Sequence, residues 1–118
     1  NKIIVGTRGW NILDEENDMK MIKRENARLE LSIQDGLKKY GEDKEIIAFM
    51  HYPPINKNLL LRKEENEFIK TLKKYNINKC YYGHLHGPSH KDAIEGIIEG
   101  IDFKLISADY LDFKLVKI

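Results

Sequence analysis

The 118-residue chain predicts an α/β domain: three parallel strands joined by two crossover helices, followed by short antiparallel strands. Three observations carry that expectation. Short apolar, β-branched runs alternate with longer stretches at helical period. The connections between the first three runs have the length that parallel pairing requires. After residue 90 the runs become short and closely spaced, with turn residues between them, as in an antiparallel closing segment.

The first strand is Lys2-Ile3-Ile4-Val5, short and β-branched, followed by Gly6. A loop with two glycines, Gly6-Thr7-Arg8-Gly9-Trp10, ends in the only tryptophan. From about residue 14 to residue 40 the apolar positions Met19, Ile22, Leu29, Ile33, Leu37 and Tyr40 recur at helical period. The Lys, Arg and Glu residues between them read as solvated faces, with Asp14 or Asn17 as the cap and Gly41 as the terminator. Gly36 weakens the last turns slightly. Residues 45–50 form a continuous apolar run of strand length, expected to be buried on both faces and stopped by Pro53 and Pro54. A second helix is expected over about residues 60–75, with Phe68, Leu72 and Tyr75 on its stripe and Ile69 alongside. Asn76-Ile77-Asn78 breaks it before a strand at residues 79–82. The runs at 94–98, 101–107 and 113–118 read as antiparallel strands, with a turn near Asp109.

Size and composition bound the function. Residues 1–118 suit one domain, with a core of ordinary apolar content. A formal net charge of +1 argues against a dedicated nucleic-acid or membrane-surface protein. No apolar run approaches the roughly 20 residues of a membrane-spanning helix, and no signal-peptide pattern opens the chain. The single Cys80 lies in an apolar run and reads as core packing, so a reducing cytoplasm is the expected compartment. The chain opens directly in a strand, as processing or a missing first half would leave it.

The chemistry concentrates in Gly83-His84-Leu85-His86-Gly87, two histidines two residues apart between glycines. In an extended or tightly turned segment both imidazoles can face one point, and imidazole is a common ligand of transition metals. Parallel strands joined by right-handed crossovers bring their C-terminal ends to one sheet edge. The loops 6–10, 51–54 and 83–87 all follow strand ends, so His51, His84 and His86 are expected to converge there, where open α/β sheets place their sites. The donors are nitrogen only. The carboxylates that a hydrolytic or two-metal centre needs have no obvious place, with Asp92, Glu95 and Asp109 following at a distance. His90 is a candidate for a substrate phosphate or a solvated loop residue. Arg8 is a candidate anion clamp or a structural ion pair. Trp10 reads as packing, and Tyr52, Tyr81 and Tyr82 as lining or support.

His51-Tyr52-Pro53-Pro54 together with Gly83-His84-Leu85-His86 resembles the last two metal motifs of the calcineurin-like metallophosphoesterases. The loop 6–10 and the segment 107–118 are also similar to one bacterial branch of that family. The resemblance implies the C-terminal half of an α/β sandwich that carries a two-metal site. His51 and His84 would ligate one metal and His86 the other, the metals being Mn, Fe, Zn or Co. The family's first three motifs, which supply the bridging aspartate and the other oxygen ligands, have no match in this chain. The implied function is metal-dependent phosphoester hydrolysis, with three imidazoles, and Arg8 and His90 as substrate contacts, supplied from this chain. The missing N-terminal half of the domain and a phosphoester are the implied partners. The alternative is a non-catalytic binding or regulatory lobe that keeps the fold and self-associates through exposed apolar surface.

Overall fold

The computed structural model describes all 118 residues as a mixed α/β arrangement built on one five-stranded sheet. Its elements are β1 (Lys2–Thr7), α1 (Asp18–Tyr40), β2 (Glu45–Met50), α2 (Lys57–Arg62), α3 (Glu67–Lys74), β3 (Lys79–Tyr82), β4 (Gly96–Ile98) and β5 (Ile101–Leu105). The sheet order is β1-β2-β3-β5-β4. β1, β2 and β3 are parallel, as the sequence predicts. β5 departs from the expectation: it pairs parallel with β3 and antiparallel only with β4. Glu99 and Gly100, at φ 55° and 78°, close a two-residue hairpin that fixes the β4–β5 pairing. Packing sets which strand lies beside β3: Ile101, Phe103 and Leu105 of β5 join the core cluster, whereas β4 is short and largely exposed.

The pleat sorts the strands' side chains into two faces. Ile3, Val5, Ile46, Ala48, Met50, Cys80, Tyr82, Ile101, Phe103 and Leu105 share one core cluster with Ile22, Leu29 and Ile33 of α1 and Phe68, Ile69 and Leu72 of α3. Burial pushes the Cys80 thiol up to about 12, consistent with a packing role. The other face carries Ile4, Ile47, Phe49 and Tyr81 among Lys2, Glu45, Lys79, Asp102 and Lys104. There Phe49 and Tyr81 stack with ring centres 5.1 Å apart, and Glu45 joins Lys79 at 2.9 Å. Ile4 on this face is 54% exposed.

α1 ends at Tyr40 as expected but starts at Asp18 rather than near residue 14, and its stripe is narrower. Ile22, Leu29 and Ile33 are buried, whereas Met19 and Tyr40 are exposed. Two polar positions join the buried stripe instead. Glu25 is fully buried and accepts from Arg8, Arg28 and Thr7, so one of the charges read as solvated is an interior anchor. Gly36 is a contact residue, because a Cβ there would lie 2.6 Å from a methyl of Ile3. Neither Asp14 nor Asn17 caps the helix through its side chain. Asp18 does the work of order at this end, accepting from the amides of Leu13 and Glu15 and from the Trp10 indole N–H.

The expected helix over residues 60–75 is two helices. Lys63, in the left-handed region at φ 54°, ends α2, and Asn66 starts α3 by accepting from the Ile69 amide. Asn56 starts α2 in the same way. Both asparagines also donate outward, Asn56 to the Ile12 carbonyl in the loop after β1 and Asn66 to the Pro54 carbonyl in the loop after β2. Residues 113–118 form no strand. A short apolar run makes a strand only when a sheet edge receives it, and this segment pairs with neither edge strand. Phe113 and Leu115 are consequently exposed. No helix is long and apolar enough to cross a membrane.

Candidate metal centre

Thr7, Met50, Tyr82 and Leu105 lie level across the four parallel strands. The next residues, Arg8, His51, Gly83 and Ile106, therefore leave the sheet side by side. Backbone bonds hold them there: Tyr52 N–H donates to the Arg8 carbonyl at 3.0 Å, and Gly83 N–H to the carbonyls of Met50 and His51 at 3.2 and 3.1 Å. The shared edge expected for these loops is present.

His51 and His84 meet on that edge, with ring centres 5.3 Å apart and planes at 71°. The Tyr52 ring packs against both, at 4.7 and 4.6 Å. Two imidazoles on one tetrahedral ion, each nitrogen about 2.1 Å from the metal, place their ring centres about 5 Å apart, so this spacing fits a shared ion. His84 sits at φ 70°, in the left-handed region that costs a non-glycine residue about 1 kcal/mol. The sharp bend thus falls on the histidine itself. Gly83 has no positive φ, and a Cβ there would only touch the His51 carbonyl at 3.7 Å, so it is Gly87, at φ 51°, that uses glycine's freedom.

His86 goes elsewhere. Its Nδ1 lies 2.8 Å from Asp109 Oδ1, while Asp109 Oδ2 accepts from the Gly87 amide at 2.8 Å. Hydrogen bonds from His86, then from the Gly87 backbone, hold the Asp109 carboxyl well below the usual carboxylate range, with His90 adding to the effect. An ionised Asp109 makes His86 Nδ1–H the donor and leaves Nε2 available. The expectation that His84 and His86 face one point is therefore not met in this arrangement. No group of three or more His, Cys, Asp or Glu side chains is set to hold an ion. The donors fit one share of a centre, three imidazoles with one carboxylate behind them, and supply no bridging oxygen.

The two candidate substrate contacts are engaged within the chain. Arg8 Nη2 donates to Glu25 Oε1 at 2.9 Å, and the guanidinium lies 5.4 Å from the Trp10 ring centre, the ion-pair arrangement of the two open for it. His90 packs edge-on to Tyr110, at 5.0 Å between ring centres. Its Nε2 is 3.1 Å from Asp109 Oδ1 but off the hydrogen-bond direction, so the contact is electrostatic rather than a directed bond. Asp109 is the site residue that sequence reasoning left undecided. Its separation of 23 positions from His86 has no periodic signal; only the apolar run ending at Leu105 foretold a loop there. Glu95, the other distant carboxylate, accepts from the Tyr110 hydroxyl and the Leu105 amide. A cleft of about 370 Å³ opens beside His84, lined by Asn11, Ile12, Pro53, Ile55, Asn58 and Leu85 among others.

Burial, reinforced by His51 and His86, lowers the His84 imidazole from its ordinary 6.5, so it is neutral near pH 7 with a lone pair to give. The unfolded chain then takes up a proton at His84 before the folded one does. The stability this residue contributes is whole above about pH 6.5 and is lost as the pH falls through the lower folded value. Urea midpoints measured from about pH 7 down to about pH 5 are expected to fall less for His84→Gln than for the wild type, and equal falls would show that His84 carries none of the dependence. No protein-family model matches the chain, and neither does any curated protein or solved structure.

Proposed function

We propose that this chain supplies one wall of a metal-dependent phosphoester hydrolase of the calcineurin-like type, with His51, His84 and His86 as metal ligands. The observation that carries the reading is the meeting of His51 and His84 at adjacent parallel strand ends, 5.3 Å apart between ring centres. The sheet supports it in part: helices cover one face, and on the other Ile4 is exposed although Ile47 and Tyr81 are buried, so a second layer from a missing N-terminal half would pack over the β1 side. Mn, Fe, Zn and Co all suit imidazole donors. Two such ions, when bound, polarise phosphoryl oxygens and supply a hydroxide-like water at neutral pH. The chain's own residues do the rest. His84 is held neutral by burial and by its neighbours, and Tyr52 packs both rings of the pair in place. The cleft beside His84 takes the organic part of the phosphoester, with its apolar walls and the Asn11 and Asn58 amides. Arg8, with guanidinium N–H groups beyond the one on Glu25, and His90 serve as secondary phosphate contacts. Cytoplasm is the compartment in this reading, where a buried free Cys80 stays reduced.

Metal content measured after chelator-free purification tests the ligand set. The wild-type chain is expected to carry transition metal, with His51→Ala and His84→Ala each lowering it by roughly 10-fold or more. Unchanged content in both variants would remove these residues from the ligand set. Turnover of bis-p-nitrophenyl phosphate with added Mn²⁺, by the chain joined to its N-terminal half, tests the activity.

The second reading, a non-catalytic binding or regulatory lobe that self-associates, is favoured by exposed apolar side chains at Ile4, Phe113 and Leu115. A metal-free chain that sediments as a dimer would support it over the hydrolase.

A further inference from the structure

We propose that Asp109 is a positioning residue for His86, locking the imidazole as the Nδ1–H tautomer so that Nε2 is the nitrogen presented to a metal. The metal half of this inference rests on the reading above; the hold on the ring does not.

The case begins with how firmly both partners are fixed. The His86 backbone is clamped on both sides by one side chain: Ser89 Oγ accepts from the His86 amide at 2.9 Å and donates to the His86 carbonyl at 2.7 Å. Gly87, at φ 51°, then turns the chain so that its amide points to Asp109 Oδ2 at 2.8 Å. Asp109 Oδ1 accepts in addition from the Tyr110 amide at 3.0 Å. The carboxylate is thus anchored by two backbone N–H groups, one from each loop, before it meets the ring. It is pre-organised, and little side-chain freedom remains to be lost when it accepts from His86 Nδ1 at 2.8 Å.

The surroundings leave one orientation of the proton. Asp109 has no N–H to offer, so the ring nitrogen facing it must carry the hydrogen. His90 Nε2 lies 3.1 Å from the same oxygen without a directed bond. His86 is 63% exposed at its side chain, and Nδ1 is the ring nitrogen that Asp109 engages. A carboxylate behind one imidazole nitrogen, with the other nitrogen open, is the arrangement that metal-binding histidines use to fix ring orientation and raise donor strength. It also places one negative charge next to a donor set that otherwise carries none.

The test reads the ring directly. Long-range ¹H–¹⁵N correlation spectra of the metal-free chain at neutral pH are expected to show His86 as Nδ1–H. In Asp109→Ala the ring is expected to move to a mixture dominated by Nε2–H, with His84 unshifted. Zn²⁺ titration is expected to give an affinity roughly 10- to 100-fold lower for Asp109→Ala, with Asp109→Glu recovering part of it. The Ser89→Ala variant, which frees the backbone clamp but leaves the carboxylate, controls for general loosening of the loop and should keep the Nδ1–H form. A wild-type ring found as Nε2–H, or one that Asp109→Ala leaves unchanged, overturns the role of Asp109 whatever the metal does. A wild-type chain that shows Nδ1–H but binds no Zn²⁺ overturns the metal half and, with it, the metal-centre reading.

Discussion

Replacing Gly6 by alanine is expected to destabilise the fold by about 3 kcal/mol, the upper part of the usual range for forcing an extra carbon into a packed position. A Cβ at this position would stand 2.4 Å from the Phe49 carbonyl oxygen, which is backbone of the paired strand and has no rotamer to escape into. Relief requires the end of β1 to separate from β2, and that is where the Arg8 carbonyl receives the Tyr52 amide next to His51. The variant should therefore lose metal affinity along with stability. Urea unfolding provides the first readout and Zn²⁺ titration the second. The matched control is Gly83→Ala, whose Cβ meets only an ordinary contact at 3.7 Å; it is expected to be neutral or to gain a few tenths of a kcal/mol. Equal stabilities for Gly6→Ala and the wild type would show that the close approach of β1 and β2 is not a constraint.

Glu25→Ala carries the second large effect, also about 3 kcal/mol, at the low end for breaking a buried charged network. The carboxylate is completely buried and holds three partners: Arg8 at 2.9 Å, Arg28 at 3.0 Å and the Thr7 hydroxyl at 3.1 Å. Its removal leaves two cations without a partner and a void under the loop that leads from β1. The arginines themselves are about half exposed, 49% and 52% at the side chain, so water takes over much of their solvation. Arg8→Ala and Arg28→Ala are accordingly expected to cost about 1 kcal/mol or less each. Glu25→Met should recover part of the loss, since a well-packed apolar side chain can replace a buried ion pair at little cost. If Glu25→Ala unfolds at the same urea concentration as Arg8→Ala, the burial of the carboxylate is not what stabilises this loop.

Glu25 and Gly36 mark where sequence and structure part. Glu25 stands three residues after Ile22 and four before Leu29, so helical spacing puts it on the apolar stripe; its charge is what made it read as solvated. Only the crossing of α1 over β1 brings Arg8, 17 residues away, within reach and gives the buried carboxylate its partners. Gly36 is the same case. Its cost to helix propensity is readable locally, but its use, close approach to Ile3, is a property of the packed pair. The break between α2 and α3 was within reach of sequence reading, because Asn56 and Asn66 each stand three residues before a buried apolar residue, Leu59 and Ile69, as helix starts do. The strand expected at residues 113–118 failed for the opposite reason: the apolar run is there in the sequence, but pairing is a relation between segments and no edge takes it.

What the chain determined alone is the order of the first three parallel strands with their helical crossovers, and the placing of His51 and His84 on one sheet edge. Those follow from short-range periodicity and from the handedness of crossovers, which act along the chain. The tertiary structure alone decided the side of β5, the partners of Glu25, and the division of the Gly83-His84-Leu85-His86 histidines between two neighbourhoods. His84 turns to His51 through its own left-handed backbone, and His86 turns to Asp109. Contacts between residues 23 or 33 positions apart have no periodic trace, because they depend on where separate loops land once the sheet has formed.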